Sequence, residues 1–148
     1  VTRPYVVDKL GFKQMYVDLW GWFWQEEVRA FQENDEMVKR IIELARQGWV
    51  YRRSAHSSLM LASFEEAAEL ARQQQNPCWE FFCTYWACST LFYHVDDLQG
   101  ALDRTVKLIS RSHLQEVAHC PIRARVYFLL ADIYYEIDIL KLHLSRLS

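Results

Sequence analysis

The chain has 148 residues, 51% hydrophobic and 15% aromatic, with a formal net charge of −2. That length suffices for one domain with a buried core, and the near-neutral balance argues against a nucleic-acid or membrane-surface binder driven by bulk charge. Four Gly and three Pro are too few for a turn-rich all-β fold, so the expected class is all-α, with about six or seven helices and short loops.

No secretory segment is expected at the N-terminus, because Thr2 to Lys13 lacks a continuous apolar run. Leu19 to Trp24 is apolar but too short to span a bilayer, so no membrane association is expected. The start at Val1 and the helical pattern running out at Ile137 to Leu147 read as a piece of a longer chain. Cys78, Cys83, Cys88 and Cys120 show no paired framework, and the first three fall in one predicted helix, where their spacing points them in different directions. Reduced thiols in a cytoplasmic protein are expected.

Residues 15–48 read as a degenerate N-terminal helix pair. On a helix, Val17, Trp20, Trp24, Val28 and Phe31 form one apolar stripe, widened by Leu19, Phe23 and Ala30. Trp22 falls on the polar side with Asp18, Glu26 and Arg29, as a candidate surface contact. Asn34-Asp35 is a good N-cap pair, and the helix after it is expected to stop at Gly48. The string ELARQ recurs at Glu43 and Glu69, an interval of 26 that leaves open whether 35–62 is one long helix or two.

Farther along, Phe64 and Leu98, Ala67 and Ala101, Tyr51 and Tyr85, and Ala55 and Ser89 all recur at an interval of 34 residues (98 − 64 and so on). The expected units are 49–76, with helices Trp49 to Ala62 and Ser63 to Ala71, and 77–110, with helices Trp79 to His94 and Val95 to Ile109. A partial unit, 121–148, follows a longer connection at 110–120. Its stretch ARVYFLLADIYYEID places Leu130, Ala131 and Tyr134 in the same apolar–small–aromatic order, and its second helix is expected from Ile137.

In SFEEAAELA, VDDLQGALDRTVKLI and this spacing, the chain resembles the tetratricopeptide (TPR) repeat family. The resemblance implies one domain over 1–148, a right-handed α-solenoid of stacked antiparallel helix pairs, with no cofactor. It implies a concave groove lined by three first-helix rows: Trp49, Arg52 and His56; Cys83, Trp86, Thr90 and Tyr93; and Arg125, Phe128, Asp132 and Tyr135. The implied ligand is a protein or peptide partner. No Asn accompanies Arg52 and Arg125 in these rows, so capture of a terminal carboxylate is disfavoured and an apolar or acidic peptide is expected. Two alternatives remain open: a regulatory or sensor domain taking a signalling peptide or an intramolecular segment, and a self-associating helical protein forming a homodimer.

Catalysis and metal binding are not expected. Cys78, Cys83, Cys88, His94, His113, His119 and Cys120 lack the paired spacing of a zinc site. The acidic pairs Glu26-Glu27, Glu65-Glu66 and Asp96-Asp97 read as helix starts favoured by the dipole. No Gly-rich phosphate loop or nucleophile motif is present. Arg104, Lys107, Arg111 and His113 read as cations at a helix C-terminus, and no nucleic acid is expected.

Overall fold

Residues 77–93 have almost no polar face: PCWEFFCTYWACSTLFY is apolar on every side, the signature of a helix enclosed by others. The computed structural model, which describes residues 19–118 and 120–147, places this segment at its centre. The described residues form six α-helices and no strand: α1 Leu19–Gln32, α2 Glu36–Arg53, α3 Ser57–Gln73, α4 Pro77–Tyr93, α5 Leu98–Ser110 and α6 Arg123–Leu147, with a 3-10 turn at Gln115–Val117. Each helix packs on the next, and α4 also touches α6 and the 3-10 turn.

The core is built around α4. Trp79, Phe81, Phe82, Cys83, Cys88 and Thr90 are fully enclosed. Phe23 of α1 and Trp49 of α2 meet at 5.3 Å, Trp49 and Trp86 at 5.4 Å, and Phe64 of α3 stacks on Trp86 at 6.0 Å between ring centroids. One polar bond crosses this aromatic layer: Trp79 Nε1 donates to Glu26 Oε1 at 2.9 Å, and Arg29 holds the same carboxylate at 2.9 Å. The pair leaves neither the indole N–H nor the carboxylate unsatisfied.

The turns explain the regular stacking. Asp35, His56 and Asn76 each donate a backbone N–H to the carbonyl five residues back, at 2.8, 3.1 and 2.9 Å. The residue before each, Asn34, Ala55 or Gln75, has a left-handed φ of 55, 59 or 53°. This is a Schellman ending, and its last residue serves at once as the N-cap of the next helix. Asp35 accepts from Val38 N–H at 3.1 Å and Asn76 from Trp79 N–H at 3.4 Å, while Asp97, after Asp96 at φ 59°, accepts from Gly100 N–H at 2.9 Å. Caps and left-handed residues recur at 41 residues (76 − 35, 97 − 56, 75 − 34, 96 − 55).

The helix boundaries therefore differ from those expected at 34. Residues 49–62 are not one helix: they hold the end of α2, the Ser54–His56 turn and the start of α3. The question over 35–62 resolves into two helices, with the break at 54–56, whereas Gly48 lies buried inside α2. Helix α6 continues unbroken through Ile137, so no second helix starts there. The apolar stripe of α1 is also displaced. Leu19, Phe23 and Ala30 are buried, while Trp24 is 64% and Phe31 75% exposed. Trp20 is half exposed and edges onto Trp49; Trp22, expected at the surface, packs on Trp79 at 4.7 Å and Phe82 at 5.2 Å. Val17 lies outside the described residues. Glu26-Glu27 and Glu65-Glu66 sit within α1 and α3 rather than at helix starts.

Two substitutions test this packing in opposite directions. A Cβ on Gly48 would stand 2.6 to 2.9 Å from three ring carbons of Phe64, which is fully buried. Gly48→Ala gains about 1 kcal/mol of helix propensity but forces a rigid ring to move, so we expect a net loss of about 1–2 kcal/mol, relieved in the Gly48→Ala/Phe64→Leu double variant. Ala55, exposed and at φ 59°, carries a left-handed backbone without a polar side chain to favour it. Ala55→Gly is expected to raise stability by about 1 kcal/mol. Urea-unfolding midpoints measure both.

Candidate partner-docking surface

The three predicted rows divide sharply by burial. In the first, Trp49 is half-buried while Arg52 and His56 are exposed; His56 precedes α3 as its N-cap, with Nδ1 2.8 Å from Ser54 Oγ. In the second, Cys83, Trp86 and Thr90 lie inside the core, Thr90 Oγ1 donating to the Trp86 carbonyl at 2.7 Å. They present no groove surface; of this row only Tyr93 reaches solvent. In the third, Arg125, Phe128, Asp132 and Tyr135 are all exposed, Phe128 by 66% and Tyr135 by 65%.

The fold joins the exposed members. Tyr93 donates its hydroxyl to Asp132 Oδ2 at 2.6 Å, which ties the end of α4 to the middle of α6. Partial burial and the facing carboxylate push the Tyr93 phenol above its ordinary value, so it remains a donor at any physiological pH. The Arg125 guanidinium lies 5.8 Å over the Trp86 ring. At the same end of α4, partial burial and then the nearby Arg52 charge lower the pKa of His94, favouring the neutral imidazole.

Helix geometry extends this face beyond the predicted rows. Arg125, Phe128, Asp132, Tyr135, Ile139 and Leu142 alternate at three and four residues, so they share one side of α6. Ile139 and Leu142 are both exposed, and neither was among the expected contacts. The opposite side carries a second stripe with the same alternation: Ile133 buried, Ile137 partly buried, then Leu140, Leu144 and Leu147 exposed. The half of α6 that packs on the core uses one stripe; the half beyond it displays both.

Charge is distributed unevenly. Three carboxylates of α3 and α4 are paired with arginines: Glu65 with Arg104, Glu69 with Arg72, and Glu80 with Arg111 at 3.1 Å. Glu27 reaches Arg46 at 2.7 Å. Arg52 and Arg125, beside the docking face, make no ion pair with the described residues. Arg125 lies over Trp86, and Trp49 Nε1 and Trp86 Nε1 are buried donors without an acceptor among the described residues. Exposed aromatic side chains and guanidinium groups without an ion pair among the described residues together suit an acidic ligand bearing apolar groups.

Of the cysteine and histidine set, Cys83, Cys88 and Cys120 are buried, Cys78 is half-buried, and His119 lies outside the described residues. Among the described residues no three His, Cys, Asp or Glu side chains are placed to hold a metal ion, and no helix is long and apolar enough to cross a membrane. No family model, curated protein or solved structure matches this chain.

Surface and core roles separate in a stability experiment. Phe128→Ala and Tyr135→Ala are expected to change unfolding free energy by no more than about 0.5 kcal/mol. Trp86→Ala, which removes a ring shared by α2, α3 and α4, is expected to cost about 3–5 kcal/mol.

Proposed function

We propose that the chain is a non-enzymatic protein–protein interaction module, a TPR-like stack of helix pairs that docks an acidic amphipathic helix on the exposed face of α6 and the adjoining end of α4. The observation that carries this reading is the row Phe128, Tyr135, Ile139 and Leu142, exposed on one helical side and bordered by Tyr93 and by Arg125, which makes no ion pair with the described residues. Side chains alternating at three and four residues are met best by a second helix, whose own apolar residues fall in the spaces between them. Aromatic anchors supply binding energy, and the arginines select against basic partners. A right-handed superhelix fits helices that recur every 41 residues (76 − 35) through the same turn.

A specific observation favours homodimerisation as a second reading. Beyond the core-facing Ile133, Ile137, Leu140, Leu144 and Leu147 continue a heptad seam, and exposed Glu136 and Lys141 flank it with opposite charges. In a parallel pair of copies, Glu136 of one helix faces Lys141 of the other.

Panning a displayed library of helix-forming peptides against the chain tests the first reading. We expect enriched sequences to carry apolar residues at three-and-four spacing flanked by Asp and Glu, to lose at least tenfold in affinity toward a Phe128→Ala/Tyr135→Ala variant, and to bind an Arg52→Glu/Arg125→Glu variant still more weakly. Basic or unpatterned sequences, or equal binding to the variants, contradict it. Sedimentation of the chain alone separates the second reading: a concentration-dependent dimer abolished by Leu140→Glu/Leu144→Glu supports pairing through the seam, and a monomer at all concentrations rejects it.

A further inference from the structure

Cys78 and Cys120 stand 42 residues apart (120 − 78), yet the fold brings them together. Cys78 follows Pro77 in the first turn of α4, and it is the one cysteine of the four that is not buried. Cys120 closes the connection between α5 and α6. Its Sγ donates to the Cys78 carbonyl oxygen at 3.3 Å, and its thiol lies against the Cys78 thiol. Backbone bonds fix it there: Cys120 N–H donates to the Val117 carbonyl at 3.0 Å, and its own carbonyl accepts from Arg123 N–H at 3.3 Å. Burial pushes the thiols of Cys83, Cys88 and Cys120 up, which leaves Cys78 to react first.

We propose that Cys78 and Cys120 form a peroxide-sensitive thiol pair that closes to a disulfide between the start of α4 and the connection ahead of α6. The first step is attack of the Cys78 thiolate on one oxygen of hydrogen peroxide. An S–O bond forms, the O–O bond breaks, and the departing hydroxide takes a proton to become water; Cys78 is now a sulfenic acid and the peroxide is reduced. In the second step the Cys120 sulfur attacks the Cys78 sulfur. An S–S bond forms, the S–O bond breaks, and the hydroxyl leaves with the Cys120 proton as a second water. Two thiols and one peroxide thus yield one disulfide and two waters, and a thiol reductant reverses the product. The cross-link ties the segment that seats α6 to the central helix, and it closes a loop long enough to restrict the unfolded chain appreciably. This proposal is independent of what docks on α6.

The test treats the reduced chain with graded hydrogen peroxide at neutral pH, quenches with an alkylating reagent, and maps thiols by mass spectrometry without reduction. We expect a monomer lighter by two hydrogens, a Cys78–Cys120 cross-linked peptide, Cys83 and Cys88 alkylated only after unfolding, and full reversal by dithiothreitol. The oxidised form is expected to melt higher by on the order of 10 °C. Cys78→Ser, a half-exposed change that spares the core, is expected to leave Cys120 reduced at peroxide levels that convert the wild type. Cys120→Ala is expected to hold Cys78 as a sulfenic acid trapped by dimedone. Over-oxidised Cys78 beside a free Cys120, a disulfide through Cys83 or Cys88, or a cross-link only between chains would overturn the proposal; mapping of the wild type decides even where the Cys120 variant folds poorly.

Discussion

A helix that is apolar on every side must be enclosed, and α4 is such a helix. The free energy of leaving Trp79, Phe81, Phe82 and Trp86 in water is prohibitive for a domain of this size. Each neighbour therefore contributes a surface to the enclosure: Trp22 and Phe23 from α1, Trp49 from α2, Phe64 from α3, and Val126, Leu129 and Ile133 from α6. The three-residue Schellman turns bring α2 and α3 back at the right distance, and Gly48 lets the Phe64 ring reach between them. What is left over after α4 is covered becomes the docking face. Helix α6 is longer than the core it packs against, so its apolar pattern continues where no part of the described chain meets it.

Much of this was legible in the residues. The scarcity of Gly and Pro pointed to helices, Asp35 and Asp97 marked helix starts, and Asn76-Pro77 marks another in hindsight by the cap-then-Pro rule. The three- and four-residue spacing of Arg125, Phe128, Asp132 and Tyr135 puts them on one side of a helix. The interval was misread for a physical reason. The expected 34 and the observed 41 differ by seven residues, two turns of helix, so a residue matched at the wrong interval still falls on nearly the same face. The ends of the helices, held by Ala55 and Gln75 in left-handed conformations, carried no glycine to announce them.

The α1 stripe failed for a related reason. Aromatic residues occupy two adjoining flanks, Trp20, Trp24 and Phe31 on one and Leu19, Phe23 and Ala30 on the other, and periodicity alone does not choose between neighbouring stripes. The choice is made by fit: Ala30 allows close approach where Phe31 does not, and Phe31 stays largely in solvent with the Lys39 ammonium 4.8 Å above its ring. The contact between Cys78 and Cys120 had no local signal at all, because it depends on how the connection between α5 and α6 folds back to the first turn of α4.

Helix α4 is the enclosed centre, and beyond Ile137 helix α6 is a stable helix on which no other described residue packs to bury it. Residue-resolved hydrogen exchange of the monomeric chain measures both statements in one experiment. The prediction is that amides of Trp79 to Leu91 exchange only by global unfolding, those of Val126 to Ile133 somewhat faster, and those of Tyr134 to Leu147 fastest of the helical amides. Equal protection of Tyr134 to Leu147 and α4 in a monomer would contradict it, because that half of α6 would then be buried and unable to serve as the docking face.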